Sequence, residues 1–473
     1  MLTILSLCVL GILALCFYDI KLGLPIYLVW YLMVPYSQVQ IGGFSLGENF
    51  VNTLLLFSFI FSWIRIKRRR FADLGTAFVS KNLLQINKII CFECIPSWRL
   101  NALLPFLFYF LCVFVLIFFQ NETPLGWQLN YWRQNLMQTI LLPIFVFHVM
   151  SWEPTTVKSF RKALFVVIFL MAVYGIILMP LHGINPYIMY IQMIKGEDYN
   201  MMYALAEGTG RLFGRISSFF SHPMAYGLFL GMSFIYTYFN RKKLKKVYFY
   251  TLISIISLNI LVCGVRSVIG ALGVTVIYYL VLKREIKLIM TVGLIGLIAF
   301  FVIMQIQELS EYVGSIIDLE QKHTSVGGSS FSMRLKQMEG CLYEMSSSPI
   351  TGKGFGWHLY YMGKYGSHPI LLCFESLIYI ILCDNGILGV LIWILFALLY
   401  VFVSKKSLKE DALLGYSLLI FYLVYCCLTG EYNYLRLFML FYVIMVAERI
   451  YMTKTLSFFK KMVTQKCTSN NVS

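Results

Sequence analysis

PMAYGLFLGMSFIYTYFN (residues 223–240), RKKLKK (241–246) and VYFYTLISIISLNILVCG (247–264) follow one another without a gap. Two uncharged runs of eighteen residues flank a turn that carries five cations in six positions. An apolar run of this length carries a helix across a hydrocarbon core about 30 Å thick. A helix is also one of the two structures that satisfy their own backbone there. Cationic turns between such runs stay on the cytoplasmic side. The stretch therefore reads as a helical hairpin whose tip lies inside, and the next turn, Cys263-Gly-Val-Arg-Ser267, returns the chain outside.

Working outward, similar runs lie near 2–17, 22–38, 49–64, 101–119, 134–150, 163–181, 268–282, 288–306, 387–403, 412–429 and 434–450. Hydrophobic residues make up 59% of the chain and charged residues 13%, with a mean hydropathy of +0.75. A soluble fold leaves too much surface to hide that composition. The first run lacks a basic start and a small-residue cleavage site, so it reads as a retained helix rather than a signal peptide. The expected fold is an all-α polytopic membrane protein of about 13 transmembrane helices (12–14), with its N-terminus outside and its C-terminus inside. Its parts are N-terminal helices (1–181), a main transmembrane domain (182–450) that includes a large outer loop (307–386), and a basic cytoplasmic tail (451–473).

The charges follow this topology. Of the 39 Lys and Arg, 28 fall inside, and of the 22 Asp and Glu, 8 do, leaving the inner face +20 and the outer face −3. The net +17 is thus a topology signal that also favours anionic membrane lipids as neighbours. It excludes a nucleic-acid footprint, which needs a basic patch on a folded domain. The twelve cysteines sit mostly in apolar runs, where they behave as small hydrophobes. Cys91-Phe-Glu-Cys94 has no second pair to complete a zinc site. Nucleotide and zinc-protease motifs are absent, and no metal ligands or cofactor are expected.

Polar sequence concentrates on the outer side, in 182–222 and 307–386. A loop of that second length is a functional lid or a small domain. Within it, 332–345 has helical spacing, with Met333, Gln337, Cys341 and Glu344 rotating around a Leu335/Met338/Leu342 face. Pro349 breaks the helix and Gly352-Lys-Gly-Phe-Gly356 makes a turn. The apolar stretch 371–382 is too short to span and reads as a helix lying at the outer interface, packed on the bundle.

Few arginines lie outside. Arg211 and Arg215 precede a helix, Arg266 sits between two, Arg334 opens the loop helix and Arg436 begins the last span. Arginine at membrane depth faces a partner or a polar cavity, and its planar fork binds phosphate bidentately. Arg436 can pair with Glu431, Arg334 with Glu339, and Arg211 can snorkel. Arg215 and Arg266 have no acid one helical turn away, which favours a functional reading.

Four blocks then resemble the O-antigen ligase and O-antigen polymerase superfamily of bacterial membrane glycosyltransferases, over roughly 205–450. Arg215-Ile-Ser-Ser-Phe-Phe-Ser-His-Pro223 is similar to Arg-x-x-Gly-x-Phe-x-x-Pro-Asn, with Ser218 for the Gly and Met224 for the Asn. Gly264-Val-Arg266-Ser267 resembles a Ser-Arg-[Gly/Ser/Thr] turn. Arg334 followed by Ser348-Pro-Ile-Thr-Gly-Lys-Gly-Phe-Gly356 resembles an arginine-led helix before His-Pro-x-x-Gly-x-Gly-x-Gly. Glu375 through Gly386-Ile-Leu-Gly389 resembles a His-Asn-x-x-Leu block running into Gly-Leu-Leu-Gly. Glu375 stands where the family has its His, and the nearest histidine is His368.

The resemblance implies the fold of C-type membrane glycosyltransferases in a bacterial inner membrane, with the active site on the periplasmic or extracellular side. It implies metal-independent, inverting transfer from a polyprenyl-diphosphate-linked oligosaccharide donor to a glycan or lipid-core acceptor, beside a chain-length regulator and a flippase as possible partners. Arg215 and Arg266, then Arg334 and Arg211, would hold the diphosphate. Glu375, or else His368, would be the catalytic base. Glu375 can equally pair with Arg334, and His368 can be a surface loop histidine. The absent family His, which the ligases use, favours a polymerase over a ligase. A lipid-linked-sugar flippase would show internal repeats and matching broken spans, and neither is present. A non-catalytic scaffold would leave the outer arginines without a role.

Overall fold

The computed structural model describes residues 2–34, 39–41, 44–79, 96–195, 214–284, 331–366, 368, 375–408 and 412–449. These residues are helical apart from turns and one hairpin, Val39–Ile41 paired antiparallel with Phe44–Leu46. Helices α1 (Leu2–Tyr18), α2 (Ile20–Met33), α3 (Glu48–Val79) and α4 (Pro96–Ile117) come first. α5 (Leu125–Trp132) continues through a π turn at Arg133–Met137 into α6 (Gln138–Trp152), and α7 (Val157–Ile177) and α8 (Pro186–Lys195) follow. Next are α9 (Pro223–Phe239), α10 (Lys246–Val262), α11 (Arg266–Leu282), α12 (Phe331–Met345), α13 (Trp357–Tyr365), α14 (Leu377–Leu408), α15 (Ala412–Leu428) and α16 (residues 435–449). The apolar run 288–306 lies outside the described residues.

Among the described residues two helices are long and apolar enough to cross a membrane, Val157–Ile177 and Leu377–Lys406, and seven shorter apolar helices accompany them. Local chemistry sets their ends. Pro223 occupies the first turn of α9, where its missing N–H costs nothing, and the His222 imidazole accepts from Met224 N at 3.3 Å. Asp19 accepts from Lys21 N at 3.0 Å and so caps α2.

The helix directions separate two ends. One gathers the tips 18–21, 153–161 and 241–243: Lys21 pairs with Glu153 at 3.3 Å, while Arg161 and Lys243 reach the buried Glu448 at 3.6 and 3.4 Å. Arg65 donates to Tyr18 O at 2.8 Å, tying α3 to the same end. The other end gathers the starts of α9 and α11, the end of α15, and α12 and α13. Between them α14 lies along α4, and α11 along α15, around a core rich in tyrosine and phenylalanine.

Of the stretch expected to lie at the outer interface, residues 377–382 form the first part of α14, and residues 371–374 lie outside the described residues. Gly386 (φ 59°, ψ −156°) breaks that helix, and Leu377, Ile380, Ile381 and Cys383 ahead of the break are buried in the protein. On α12 the face that turns inward carries Gln337 and Cys341, whereas Leu335, Met338 and Leu342 are exposed.

Candidate functional site

At the end of the bundle formed by the starts of α9 and α11, two turns lie side by side. Ile216 N donates to Cys263 O at 3.3 Å, so Arg215 and Arg266, 51 positions apart in sequence, leave neighbouring stretches of backbone. The first turn is held from below: Asn185 Nδ2 donates to Ser217 Oγ at 2.8 Å and to Ser218 O at 2.6 Å, and Ser218 Oγ donates to Met171 O at 2.8 Å. Ser218 has φ 49°, in the left-handed region that favours glycine, and it stands where the resembled pattern carries Gly. The second turn uses Gly264 (φ 71°) to start α11 at Arg266. Both arginines are half-buried. Beneath them the helices crowd, because a Cβ on Gly227 would lie 2.6 Å from Val268, 3.1 Å from Val265 and 3.2 Å from Tyr425 Oη.

Arg334 reaches the same place from α12. Its Nη1 donates to Leu428 O at 2.9 Å, satisfying a carbonyl at the negative end of α15, and its Nη2 lies 3.7 Å from Glu375 Oε2. Glu375 is fixed through its own backbone, whose carbonyl accepts from Gly430 N at 2.9 Å, and Ser376 Oγ donates to Cys427 O. Tyr425 Oη donates to Met224 O at 2.6 Å, which brings the start of α9 to this helix end too. The pairing of Glu375 with Arg334, one of the two readings open in the sequence, is therefore present. Arg436 points elsewhere: its guanidinium lies 5.6 Å from the Tyr31 ring and donates to Tyr31 Oη at 3.1 Å. Arg211 lies outside the described residues.

A second constellation adjoins it across residues 430–434, and sequence reasoning missed it. Gly352, Gly354 and Gly356 have φ of 72°, 125° and 80°, conformations that let the turn press against the break in α14. Lys353 N and Gly354 N donate to Cys383 O and Asp384 O at 2.9 Å, while Ile387 N and Leu388 N donate back to Pro349 O and Ile350 O. Asp384, fully buried, accepts from Gly356 N at 2.9 Å, His358 N at 3.2 Å and His358 Nδ1 at 3.0 Å. Gln120 Nε2 donates to Thr351 O, Asp384 O and Asn385 Oδ1, and Gln120 Oε1 accepts from Phe355 N. Asn385 Nδ2 donates to Tyr432 Oη at 3.1 Å, linking the knot to the 430–434 turn. The signal that could have found it is the pairing of Gly352-x-Gly-x-Gly356 with Asp384-Asn-Gly386, two turns that each need left-handed backbone.

His368 belongs to a third cluster. Its Nε2 lies 2.8 Å from Glu344 Oε1, and Lys353 Nζ bridges Glu344 and Glu122, the latter at 3.3 Å. The ring stands 5.0 Å from Tyr361, and Lys353 lies 5.0 Å from the centre of the Trp357 ring. Burial pushes the Glu344 carboxyl up, but hydrogen bonds from Lys353 and His368 and their charges outweigh it and hold the group below the usual carboxylate range. Burial likewise pushes the Lys353 ammonium down, and Glu344 and Glu122 together carry it above its ordinary value. His368 is buried, so it is not a surface loop histidine.

Chemically the arrangement offers guanidinium groups at adjoining turns, a carboxylate beside one of them, and two histidines each aligned by a carboxylate. No protein-family model matches the sequence, and no curated protein shows a significant match.

Proposed function

We propose that the chain is a membrane-embedded surface-polysaccharide polymerase. In this reading it has about thirteen spans and joins polyprenyl-diphosphate-linked oligosaccharide repeat units at the outer leaflet. The observation that carries the reading is the convergence of Arg215, Arg266 and Arg334 at one bundle end, while Arg65, Arg161 and Lys243 sit at the other. Exposed Ile387, Leu391, Ile394, Leu398 and Phe402 along α14 suit a lipid-facing stripe.

In the proposed reaction an acceptor hydroxyl attacks the anomeric carbon of the donor. The bond from that carbon to the diphosphate oxygen breaks, and the sugar is inverted. Arg215 and Arg266 take up the charge that develops on the leaving diphosphate, as fixed cations aimed at a developing anion do. Arg334 supports the same charge and positions Glu375. Glu375 accepts the hydroxyl proton. A ligase that passes the glycan to a lipid core is the second reading, and one observation favours it: His368 is aligned by Glu344, and a ligase would draw its base from a histidine.

The test is reaction of purified protein with its lipid-linked repeat unit. A ladder of lengthening products is expected, and a single transfer to a lipid core would support the ligase instead. Arg215→Ala and Arg266→Ala should abolish product at normal protein levels, with poor rescue by Lys, because a point charge lacks the bidentate fork. Glu375→Gln should slow transfer by about 10²-fold or more, and His368→Ala should be mild. Normal polymerisation by Glu375→Gln with a dead His368→Ala would move the base to the histidine. A reporter at 320–330 should be labelled from outside intact cells and one at 241–246 should not.

A further inference from the structure

Cys341 and Cys383 stand 42 positions apart and come from different elements, the middle of α12 and the part of α14 ahead of its break. Their Sγ atoms lie 3.6 Å apart, and both side chains are buried, at 1% and 0% exposure. Trp357 is buried with them, and Tyr361, Tyr379 and Leu382 pack around the three. Forming an S–S bond of about 2.05 Å requires the sulfurs to approach by roughly 1.5 Å, a distance small side-chain rotations cover.

We propose that Cys341 and Cys383 form a disulfide in the mature protein, a covalent staple between α12 and α14. The inference rests on the outer-side placement of this end, since disulfides persist in the oxidising compartment outside the cytoplasmic membrane. The oxidant is the disulfide of an envelope thiol–disulfide oxidoreductase. One chain thiolate attacks a sulfur of that disulfide and expels the other as a thiolate. The second chain thiolate then attacks the mixed disulfide and releases the oxidoreductase as a dithiol. Two electrons and two protons leave the chain, and one S–S bond forms. Because the folded protein seals both sulfurs, exchange takes place while the outer segment folds, before Trp357 and Tyr361 close over them.

The bond would enclose the glycine turn, His358, His368 and Glu375 in one covalent loop. It would also fix the two backbones that carry Glu344 and Asp384, which lie three residues and one residue from the bridged positions. The staple therefore acts on the reach of Arg334 and Glu375 toward each other without touching either.

The test uses the full chain in native membranes. Free thiols are blocked with N-ethylmaleimide under denaturing conditions, the sample is reduced, and newly exposed thiols are tagged with a polyethylene-glycol maleimide and counted by gel shift. Two adducts are expected from the wild type, and none from Cys341→Ala, Cys383→Ala or the double variant. No adducts from the wild type would overturn the proposal, as would two adducts that persist in the double variant. The reporter at 320–330, read in the same cells, says which premise failed. Labelling from outside with no adducts defeats the disulfide alone, whereas labelling only from inside defeats the orientation on which it rests.

Discussion

Each end of the bundle buries a carboxylate, and the two are held in different ways. Asp384 accepts from two backbone N–H groups and an imidazole at 2.9–3.2 Å, presented by the end of the glycine-rich turn and the first turn of α13. Glu448 faces the side chains of Arg161 and Lys243 at 3.6 and 3.4 Å, two long cations that retain 21% and 16% exposure. The first arrangement depends on backbone shape, because donors set by φ and ψ cannot follow a displaced acceptor. The second depends on charge, because long flexible side chains can re-aim a cation at a displaced carboxylate. An end defined by charge suits topology and anchoring, whereas an end defined by shape suits positioning a reacting group.

The largest effect expected from this difference is at glycines. A Cβ on Gly352 would lie 2.5 Å from the backbone of Asp384 and Asn385, and one on Gly386 2.6 Å from Ile350 O, both at positive φ. Gly352→Ala and Gly386→Ala should each destabilise by about 3 kcal/mol or more, read as a lowered unfolding midpoint in detergent. Gly273→Ala in α11, with nothing within 4 Å, should be neutral or stabilising by about 0.5–1 kcal/mol.

Next, Asp384→Asn strands a buried donor and should cost about 2–3 kcal/mol, while Glu448→Gln should cost less, about 1–2 kcal/mol, since the Arg161 and Lys243 side chains can re-aim toward the amide oxygen that remains. A larger loss from Glu448→Gln than from Asp384→Asn would break the comparison outright.

A pH series sharpens it. Glu344 is held below its ordinary value, so its contribution is complete above about pH 4.3 and is lost as the pH falls through the lower folded value. Lys353 is raised, so its contribution is complete below about pH 10.4 and is lost as the pH rises through the higher folded value. The contribution of this pair should be constant between about pH 5 and 10, and the acid limb of the unfolding midpoint should become shallower in Glu344→Gln. Smallest of all, Arg161→Lys should shift stability by less than about 0.5 kcal/mol, because that end needs a cation and not a fork.

The helices were legible because a charge-free run of fixed length is a one-dimensional signal. The runs flanking RKKLKK became α9 and α10, and the turn at Cys263-Gly264 became the start of α11. The pairing of Glu375 was partly legible, since its partner Arg334 was already a candidate. Asp384 with His358 was not, because 26 residues separate them and only the left-handed glycines bring them together. The orientation of α12 also escaped pattern reading. Its Leu335/Met338/Leu342 face is exposed, while the opposite face has specific partners for Cys341 and Glu344, and those partners lie far along the chain.

Gln120 carries a consequence for how the protein is made. Its side chain, just beyond the end of α4, closes on Thr351, Asp384 and Asn385, which follow it by 231 to 265 residues. At about 5–20 residues per second the ribosome needs roughly 13–53 s to synthesise the segment between Gln120 and Asn385. The N-terminal helices must wait for that time with an amide lacking its native partners. The end that carries the glycine knot is thus among the last parts of the molecule to assemble, and a chain stopped after α11 would have most of the described helices and none of that knot.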